Sequence, residues 1–202
     1  MIGIVDYGAG NLKNVYRAFT SLGFHCKVIN NKEEIKNAGS IIIPGVGAFN
    51  QAMEKLNKTG LSEAIKEFSY TGKNIIGICL GLQLFYDESY EDGLWKGLGL
   101  LKGSVVKFPE GTLKVPHMGW NSVYKTREDN SVKSIKDGDC LYFVHSYYAK
   151  PEDLKDVLLY TDYGVRVPAM VRHDNIIGMQ FHPEKSGDLG RKLLVDIGGI
   201  LK

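Results

Sequence analysis

The chain has 202 residues, a length that fits one well-buried domain. Its 25 basic and 23 acidic side chains nearly balance, so no global charge favours binding to nucleic acid or to an anionic membrane. The sequence shows neither a secretory signal after Met1 nor an apolar run of about 18 residues, and we therefore expect a cytoplasmic protein without a membrane partner.

Short apolar segments alternate with helical patterns in the first half of the chain. The predicted strands are 2–6, 26–29, 40–43 and 74–78, and the predicted helical stretches are 12–22, 51–56, 61–68 and 80–86. Continuous apolar strands such as Ile41-Ile42-Ile43 are typical of a parallel sheet that is covered by helices on both faces. The alternation predicts an α/β fold with a mostly parallel central sheet.

The second half, after about Gly93, changes to shorter strands separated by turns. The predicted strands are 105–108, 120–124, 141–144, 157–160, 169–172 and 176–181, followed by a closing helix at 189–197. This pattern indicates a mixed or antiparallel region. Because no repeat, low-complexity tract or long linker separates the two halves, we expect a single domain over residues 1–202.

Cys79 stands at the centre of Gly77-Ile78-Cys79-Leu80-Gly81, directly after a predicted strand. Small residues on both sides allow a sharp turn that exposes a nucleophile at the start of a helix, where a thiolate is favoured. A small buried residue that closes a strand explains the same pentapeptide, so these five residues leave both interpretations open. The three cysteines are odd in number and widely spaced, which argues against disulfides and against a metal or redox pair.

Two glycine-rich segments follow predicted strands. Gly8-Ala9-Gly10-Asn11 invites a dinucleotide-binding interpretation, but Lys13 occupies the place of the third glycine, which favours a tight turn. Pro44-Gly45-Val46-Gly47 lies at the end of a strand where α/β sheets bind ligands. Its glycines free the backbone to present N–H groups as in an oxyanion hole, and a plain turn is the alternative.

His182 is the strongest candidate for a catalytic base. It follows a predicted strand and precedes Pro183 and Glu184, and side chains two apart on an extended chain share a face. A carboxylate beside the imidazole would fix its tautomer, although a surface turn explains the same three residues. The other histidines fall into two groups, exposed loop residues (His25, His173) and residues of either core or cleft (His117, His145).

The motifs around these candidates occur in the order found in class I glutamine amidotransferases, which the chain resembles. Together with Asp6-Tyr7-Gly8-Ala9-Gly10-Asn11 and Pro116-His117-Met118-Gly119-Trp120-Asn121, they resemble the HisH family, the glutaminase subunits of imidazole glycerol phosphate synthase. The resemblance implies a flavodoxin-like three-layer fold. It also implies an enzyme that hydrolyses glutamine without a metal or other cofactor. It also implies that ammonia passes to a separate, HisF-like (β/α)₈ barrel synthase subunit in a heterodimer that serves histidine biosynthesis.

The resemblance assigns roles to individual residues. It implies a catalytic triad of Cys79, His182 and Glu184. The oxyanion hole would comprise the Leu80 N–H and the loop that carries Val46 and Gly47, and Val46 would act as a gate that the partner opens. The remaining implied contacts are with glutamine (Gly45, Gly47, Gln83, Ser146, Tyr147) and with the partner (Asn11, Asn14, Trp120, Lys185).

Three alternatives remain open from the sequence. A glutaminase that feeds pyridoxal phosphate synthase resembles this chain less, because its loop reads Pro-Gly-Gly-Glu-Ser where this chain has Pro44-Gly45-Val46-Gly47. Close relatives of HisH that supply ammonia for amidino sugars are a second alternative, and the motifs in this sequence do not distinguish them from the histidine-pathway subunits. A non-catalytic module of the same fold is disfavoured because Cys79, His182 and Glu184 are all present.

Overall fold

Strands and helices alternate through the first half of the molecule and strands dominate the second half. The computed structural model describes residues 1–109, 111 and 114–201. The strands are β1 (Ile2–Val5), β2 (Cys26–Ile29), β3 (Ser40–Gly45), β4 (Ile75–Cys79), β5 (Tyr86–Ser89), β6 (Trp95–Lys96), β7 (Leu101–Lys107), β8 (His117–Ser122), β9 (Tyr124–Lys125), β10 (Cys140–His145), β11 (Tyr147–Pro151), β12 (Val157–Asp162), β13 (Arg166–His173) and β14 (Ile176–Met179). The α-helices are α1 (Leu12–Thr20), α2 (Lys32–Asn37), α3 (Phe49–Thr59), α4 (Leu61–Ser69), α5 (Leu80–Gln83) and α6 (Gly187–Gly198).

The central sheet confirms the predicted mixture of parallel and antiparallel strands. Its eight strands lie in the order β2-β1-β3-β4-β14-β13-β12-β9. The first five are parallel to one another, and β13, β12 and β9 continue the sheet in antiparallel pairs. Two smaller sheets, β10-β8 and β11-β7-β5-β6, complete the second half.

Helices cover both faces of the central sheet, as the apolar strands predict. In β3, Ile41 and Ile43 point into one hydrophobic cluster and Ile42 points into the other, because successive side chains of a strand alternate. The first cluster also contains buried residues of α2, α3 and α4, and the second contains those of α1 and α6. The result is a three-layer arrangement with the carboxyl ends of β3, β4 and β14 side by side.

One predicted helix was too long, and two elements were not predicted. The predicted helix 80–86 ends at Gln83, because the chain then turns and Tyr86 enters β5, which pairs with β7. Helix α2 was missed because its six residues bury one apolar side chain, Ile35, and show no period. Strand β11 was also missed, although it pairs with β7 along its whole length. Among the described residues, no helix combines the length and apolarity needed to cross a bilayer.

Candidate active site

Cys79 occupies the sharp turn between β4 and α5. Its backbone has φ 55° and ψ −110°, a conformation that non-glycine residues rarely adopt and that costs about 1–3 kcal/mol. The helix that follows packs closely against β3, and Gly81 permits this approach because any side chain there would collide with the carbonyl oxygen of Ile43. The expected elbow is therefore present, and it places the Cys79 thiol at the carboxyl end of the sheet.

A pocket of about 380 Å³ opens in front of this thiol. Its walls come from the β3–α3 loop, the β4–α5 elbow, the β10–β11 turn and the segment after β14. The lining residues that matter below are Val46, Gly47, Cys79, Leu80, Gln83, Glu91, His145, Ser146, Tyr147, His182 and Lys185. Within the described part of the chain, no cluster of three or more His, Cys, Asp or Glu side chains is arranged to hold a metal ion.

His182 and Glu184 form a buried pair beside Cys79. His182 Nδ1 lies 2.8 Å from Glu184 Oε1, and their side chains are 3% and 2% exposed. Nδ1 is thereby engaged, which leaves Nε2 for Cys79. Burial opposes a charge on the imidazole, but the nearby Cys79 sulfur and the hydrogen-bonded Glu184 carboxylate outweigh it and raise the pKa of His182 to about 9.

The backbone that forms this pair differs from the expectation of an extended chain. Residues Pro183–Lys185 form a 3₁₀ turn with His182 as its N-terminal flanking residue. Proline is well suited to the first position of such a turn, because its fixed φ is helical and its missing N–H would have no partner there. The turn brings Glu184 back against the imidazole, and the Ser186 hydroxyl donates to the His182 carbonyl at 2.7 Å.

The segment expected to supply oxyanion donors follows β3. Val46 is 43% exposed at the pocket mouth, and Gly47 has φ +99°, a left-handed conformation that glycine adopts without strain. The start of this loop is fixed, because the buried Tyr7 hydroxyl donates to the Pro44 carbonyl at 2.9 Å. Leu80 is the first residue of α5, so its N–H lies at a helix start.

Of the five residues assigned to glutamine, four line the pocket and Gly45 lies beneath it. Gln83 is 5% exposed, and its side-chain amide donates to the Tyr147 carbonyl at 2.9 Å. Ser146 and Tyr147 lie where β10 passes into β11. Gly45 is the last residue of β3 and is buried, so it supports the loop rather than facing the cavity.

Sequence reasoning missed the carboxylate of Glu91. It is the sole carboxylate among the residues found to line the pocket, and its Oε2 accepts from the Phe49 N–H at 2.8 Å. Burial raises the pKa of Glu91, and the Phe49 N–H opposes that rise. Glu91 lies between β5 and β6 outside any motif, so no local signal in the sequence marked it.

Sequence reasoning also missed Gln180, and it left His117 and His145 between core and cleft. The Gln180 side-chain nitrogen lies 3.6 Å from Cys79 Sγ, and its place two residues before His182 was an unused signal. His145 lines the pocket. His117 is buried behind it, with its ring between Phe143 and Tyr163 at centroid distances of 4.8 and 4.0 Å.

The residues assigned to a partner lie at the surface, and Lys185 also lines the pocket. Trp120 is 57% exposed and packs edge-on against Tyr142 at 6.1 Å. The Lys185 ammonium lies 5.8 Å from the same tyrosine ring. Asn11 caps α1, where its side chain accepts from the Asn14 N–H at 3.4 Å, and Asn14 is exposed.

Comparisons with known proteins identify the family of this chain. The family model described as glutamine amidotransferase class-I matches residues 3–197. The "imidazole glycerol phosphate synthase subunit HisH" of Caldanaerobacter subterraneus is 46% identical over 202 residues, covering 100% of this chain and 99% of that protein. The protein of the same name from Oceanobacillus iheyensis is 48% identical over 194 residues, covering 96% of each.

Solved structures show the same fold at low sequence identity. The structure of PurLQS from Thermotoga maritima matches with a TM-score of 0.79 and 21% identity, covering 100% of this chain and 98% of that one. At that identity the likeness concerns the fold, whereas the HisH relatives span nearly the whole chain at more than twice the identity. The chain therefore belongs to the class I glutamine amidotransferases, in the family of imidazole glycerol phosphate synthase subunits named HisH.

Proposed function

We propose that the chain is a glutaminase, one domain over residues 1–202, that hydrolyses glutamine and supplies ammonia to a synthase subunit of histidine biosynthesis. The observation that carries the proposal is the strained Cys79 beside the buried pair of His182 and Glu184, at the edge of a pocket of about 380 Å³. Because that pathway consumes glutamine inside the cell, we place the protein in the cytoplasm.

Cys79 would act as the nucleophile on the side-chain carboxamide of glutamine. Its sulfur attacks the carbonyl carbon, His182 gives a proton to the departing ammonia, and a glutamyl thioester remains on Cys79. Water then attacks the thioester, and His182 takes its proton, so glutamate leaves and the thiol is restored. Glu184 holds the imidazole through Nδ1 and stabilises its charged form.

The oxyanion formed in both steps needs donors on the opposite side of the reacting carbon. The Leu80 N–H at the start of α5 is one, and an N–H of the Val46–Gly47 segment is the other. Each such donor contributes about 100- to 1,000-fold in rate. Since Val46 is exposed and Gly47 tolerates either hand of backbone, this peptide is suited to turn inward when a partner docks.

Polar groups on the remaining walls suit the amino-acid end of glutamine. Glu91 would accept from the α-ammonium group, and Gln83 presents its side-chain oxygen, since both its N–H bonds are engaged by Tyr147 and Gln180. The backbone of Ser146 and Tyr147 would hold the carboxylate, while Gly47 lines the pocket and Gly45 supports the loop behind it.

A barrel synthase subunit, HisF-like in fold, would dock on the surface that carries Trp120, Lys185, Asn11 and Asn14. Exposed tryptophan is common at the centre of protein interfaces, and Lys185 connects this surface to the pocket because it lines both. The relatives named as subunits of imidazole glycerol phosphate synthase support a heterodimer of this kind.

The decisive experiment separates glutamine-dependent synthesis from ammonia-dependent synthesis. With the barrel subunit and its ligand present, Cys79→Ala should abolish the first and leave synthesis from an ammonium salt intact. Cys140→Ala, which changes an exposed cysteine, is the matched control and should leave both reactions intact. Glutaminase activity that persists in Cys79→Ala would refute the mechanism, and activation by an amidino-sugar synthase instead would redirect the pathway.

A further inference from the structure

Gln180 is a buried polar residue that lies beside the nucleophile and has no role in the mechanism above. The parallel register of β14 and β4 pairs Met179 with Ile78, so the next residue of each chain segment, Gln180 and Cys79, also lie side by side. Gln180 is fully buried, and its Nε2 lies 3.6 Å from Cys79 Sγ, within hydrogen-bonding range for sulfur. Gln180 and His182 lie one and three residues beyond the end of β14, and both side chains lie near Cys79.

The direction of this contact follows from the groups around it. The Tyr147 carbonyl can only accept, so the Gln83 atom that lies 2.9 Å from it is the amide nitrogen. The second N–H of that nitrogen meets Gln180 at 3.0 Å, and the Gln180 atom there must therefore be its oxygen. The Gln180 nitrogen is then the atom that faces Cys79, and it donates an N–H to the sulfur.

Two neutral histidines fix the carbonyl at which this chain of hydrogen bonds begins. His145 Nδ1 lies 2.8 Å from the Tyr147 oxygen and must donate to it, so His145 Nε2 accepts from His117 Nδ1 at 3.0 Å. His117 Nε2 accepts in turn from the Asn121 side-chain amide at 3.2 Å. The Tyr147 carbonyl oxygen therefore accepts two hydrogen bonds, one from His145 and one from Gln83. This arrangement fixes which atom of the Gln83 side-chain amide faces the carbonyl.

We propose that Gln180 is a further catalytic residue, whose side-chain N–H holds the Cys79 sulfur in the attacking position. The sulfur has a second neighbour, the Val144 carbonyl at 3.9 Å, which can accept from a thiol but offers nothing to a thiolate. Donation from Gln180 serves the thiolate, because a hydrogen bond to an ionised acceptor is the stronger kind. This role rests on the proposed function only in that Cys79 is the nucleophile.

Alkylation by iodoacetamide tests the contact without requiring glutamine. In Gln180→Glu, an oxygen replaces the nitrogen that faces Cys79 while the acceptor for Gln83 is kept. The Cys79 alkylation rate should fall about tenfold or more, the change expected for about 1.4 kcal/mol. The exposed Cys140 is an internal reference whose rate should stay constant, and Gln51→Glu on the exposed face of α3 is the matched control substitution.

A folded Gln180→Glu protein whose Cys79 reacts at the wild-type rate would overturn the proposal. In the glutaminase assay, the same variant should lose kcat with little change in KM, because Gln180 touches the sulfur whereas Gln83 and Glu91 face the substrate site. If the wild type hydrolyses no glutamine while its alkylation depends on Gln180, the proposed function fails and this contact stands.

Magnetic resonance provides a test if Gln180→Glu does not fold. The chain contains three glutamines, Gln51, Gln83 and Gln180, so selective ¹⁵N labelling yields three side-chain amide pairs. Removal of the acceptor in Cys79→Ala should move one Gln180 amide proton upfield and leave the exposed Gln51 pair in place. An unmoved Gln180 resonance would show that no hydrogen bond to sulfur exists.

Discussion

His182, His117 and His145 are all buried, yet their surroundings shift the pKa of the imidazole in opposite directions. The pKa of His182 is raised, and the pKa values of His117 and His145 are lowered. Burial lowers the pKa of His117 to about 4, and it lowers that of His145 to about 3 despite the Tyr147 carbonyl, with His117 and His182 adding to the effect. His182 is opposed by burial as well, but Cys79 and Glu184 raise its pKa to about 9. The difference lies in the partners, since the neutral pair meets aromatic rings and amides where His182 meets a carboxylate and a thiol.

These surroundings decide which histidine can perform acid–base work at neutral pH. An imidazole held between Phe143 and Tyr163 serves as a fixed donor and acceptor, and a charge on it would break a hydrogen bond on one side. An imidazole that faces a carboxylate can carry a proton and return it. His117 and His145 are therefore suited to hold their hydrogen-bond partners in place, whereas His182 is suited to exchange protons.

The largest expected effect separates these two kinds of histidine by substitution. His182→Gln should lower glutamine hydrolysis by about 1,000-fold, because it removes the general acid and base. His117→Asn should retain most of the activity, since its amide can still donate to His145. Steady-state kinetics with the synthase partner measure both, and equal losses in the two variants would erase the distinction.

A smaller change measures how much of the raised pKa of His182 comes from the Glu184 carboxylate rather than from Cys79. In Glu184→Gln the pKa of His182 should fall from about 9 towards its ordinary value of 6.5, because the hydrogen bond survives without the negative charge. Glutaminase activity should drop at least about tenfold. Titration of the ring proton resonances by NMR measures the pKa.

Asp156→Asn is the matched control for that titration. Asp156 hydrogen-bonds the exposed His173 and raises its pKa, so the substitution should shift His173 and leave His182 unchanged. A His182 resonance that titrates identically with and without the Glu184 carboxylate would assign the high pKa to Cys79 alone.

The smallest expected effect is a stability profile with opposite slopes on the two sides of about pH 6.5. Below that pH, His117 and His145 bind protons in the unfolded chain, whereas in the folded chain they stay neutral until about pH 4 and about pH 3. The free energy of unfolding therefore decreases as the pH falls. Above it the folded chain keeps the His182 proton until about pH 9 while the unfolded chain releases it, so the free energy of unfolding decreases as the pH rises.

Urea unfolding across this range measures both slopes. His117→Asn should lessen the slope on the acidic side, where His145 still contributes, and Glu184→Gln should lessen the slope on the alkaline side, where Cys79 still contributes. A single slope across the whole range would mean that these histidines do not have the opposite pKa shifts.

Much of the fold could be predicted because the determining signals are local. The run Ile41-Ile42-Ile43 predicted a strand with two covered faces, and each face is indeed buried in its own cluster. Helix 80–86 was predicted too long because Leu84, Phe85 and Tyr86 continue an apolar pattern, and pairing of β5 with β7 decides their conformation instead. Such pairing joins residues distant in sequence and leaves no periodic mark.

The same limit applies to the candidate site. Cys79, His182 and Glu184 stand in short motifs whose spacing has a chemical reason, and the structure brings them together. Glu91 stands in no such motif, and Gln180 was marked only by its place two residues before His182, whereas its contact with Cys79 spans 101 residues of sequence. Only the register of β14 against β4 reveals that contact, and register is a property of the assembled sheet.

The backbone of Cys79 has a consequence for attempts to stabilise the protein. Its φ of 55° is a conformation that glycine adopts freely and that a side chain makes costly. A redesign that scored residues by folding free energy alone would therefore select glycine at this position early and would delete the nucleophile. At this elbow, the residue that gives the more stable backbone is not the residue that the reaction needs. Directed evolution of a more thermostable variant must therefore keep Cys79 under selection for activity.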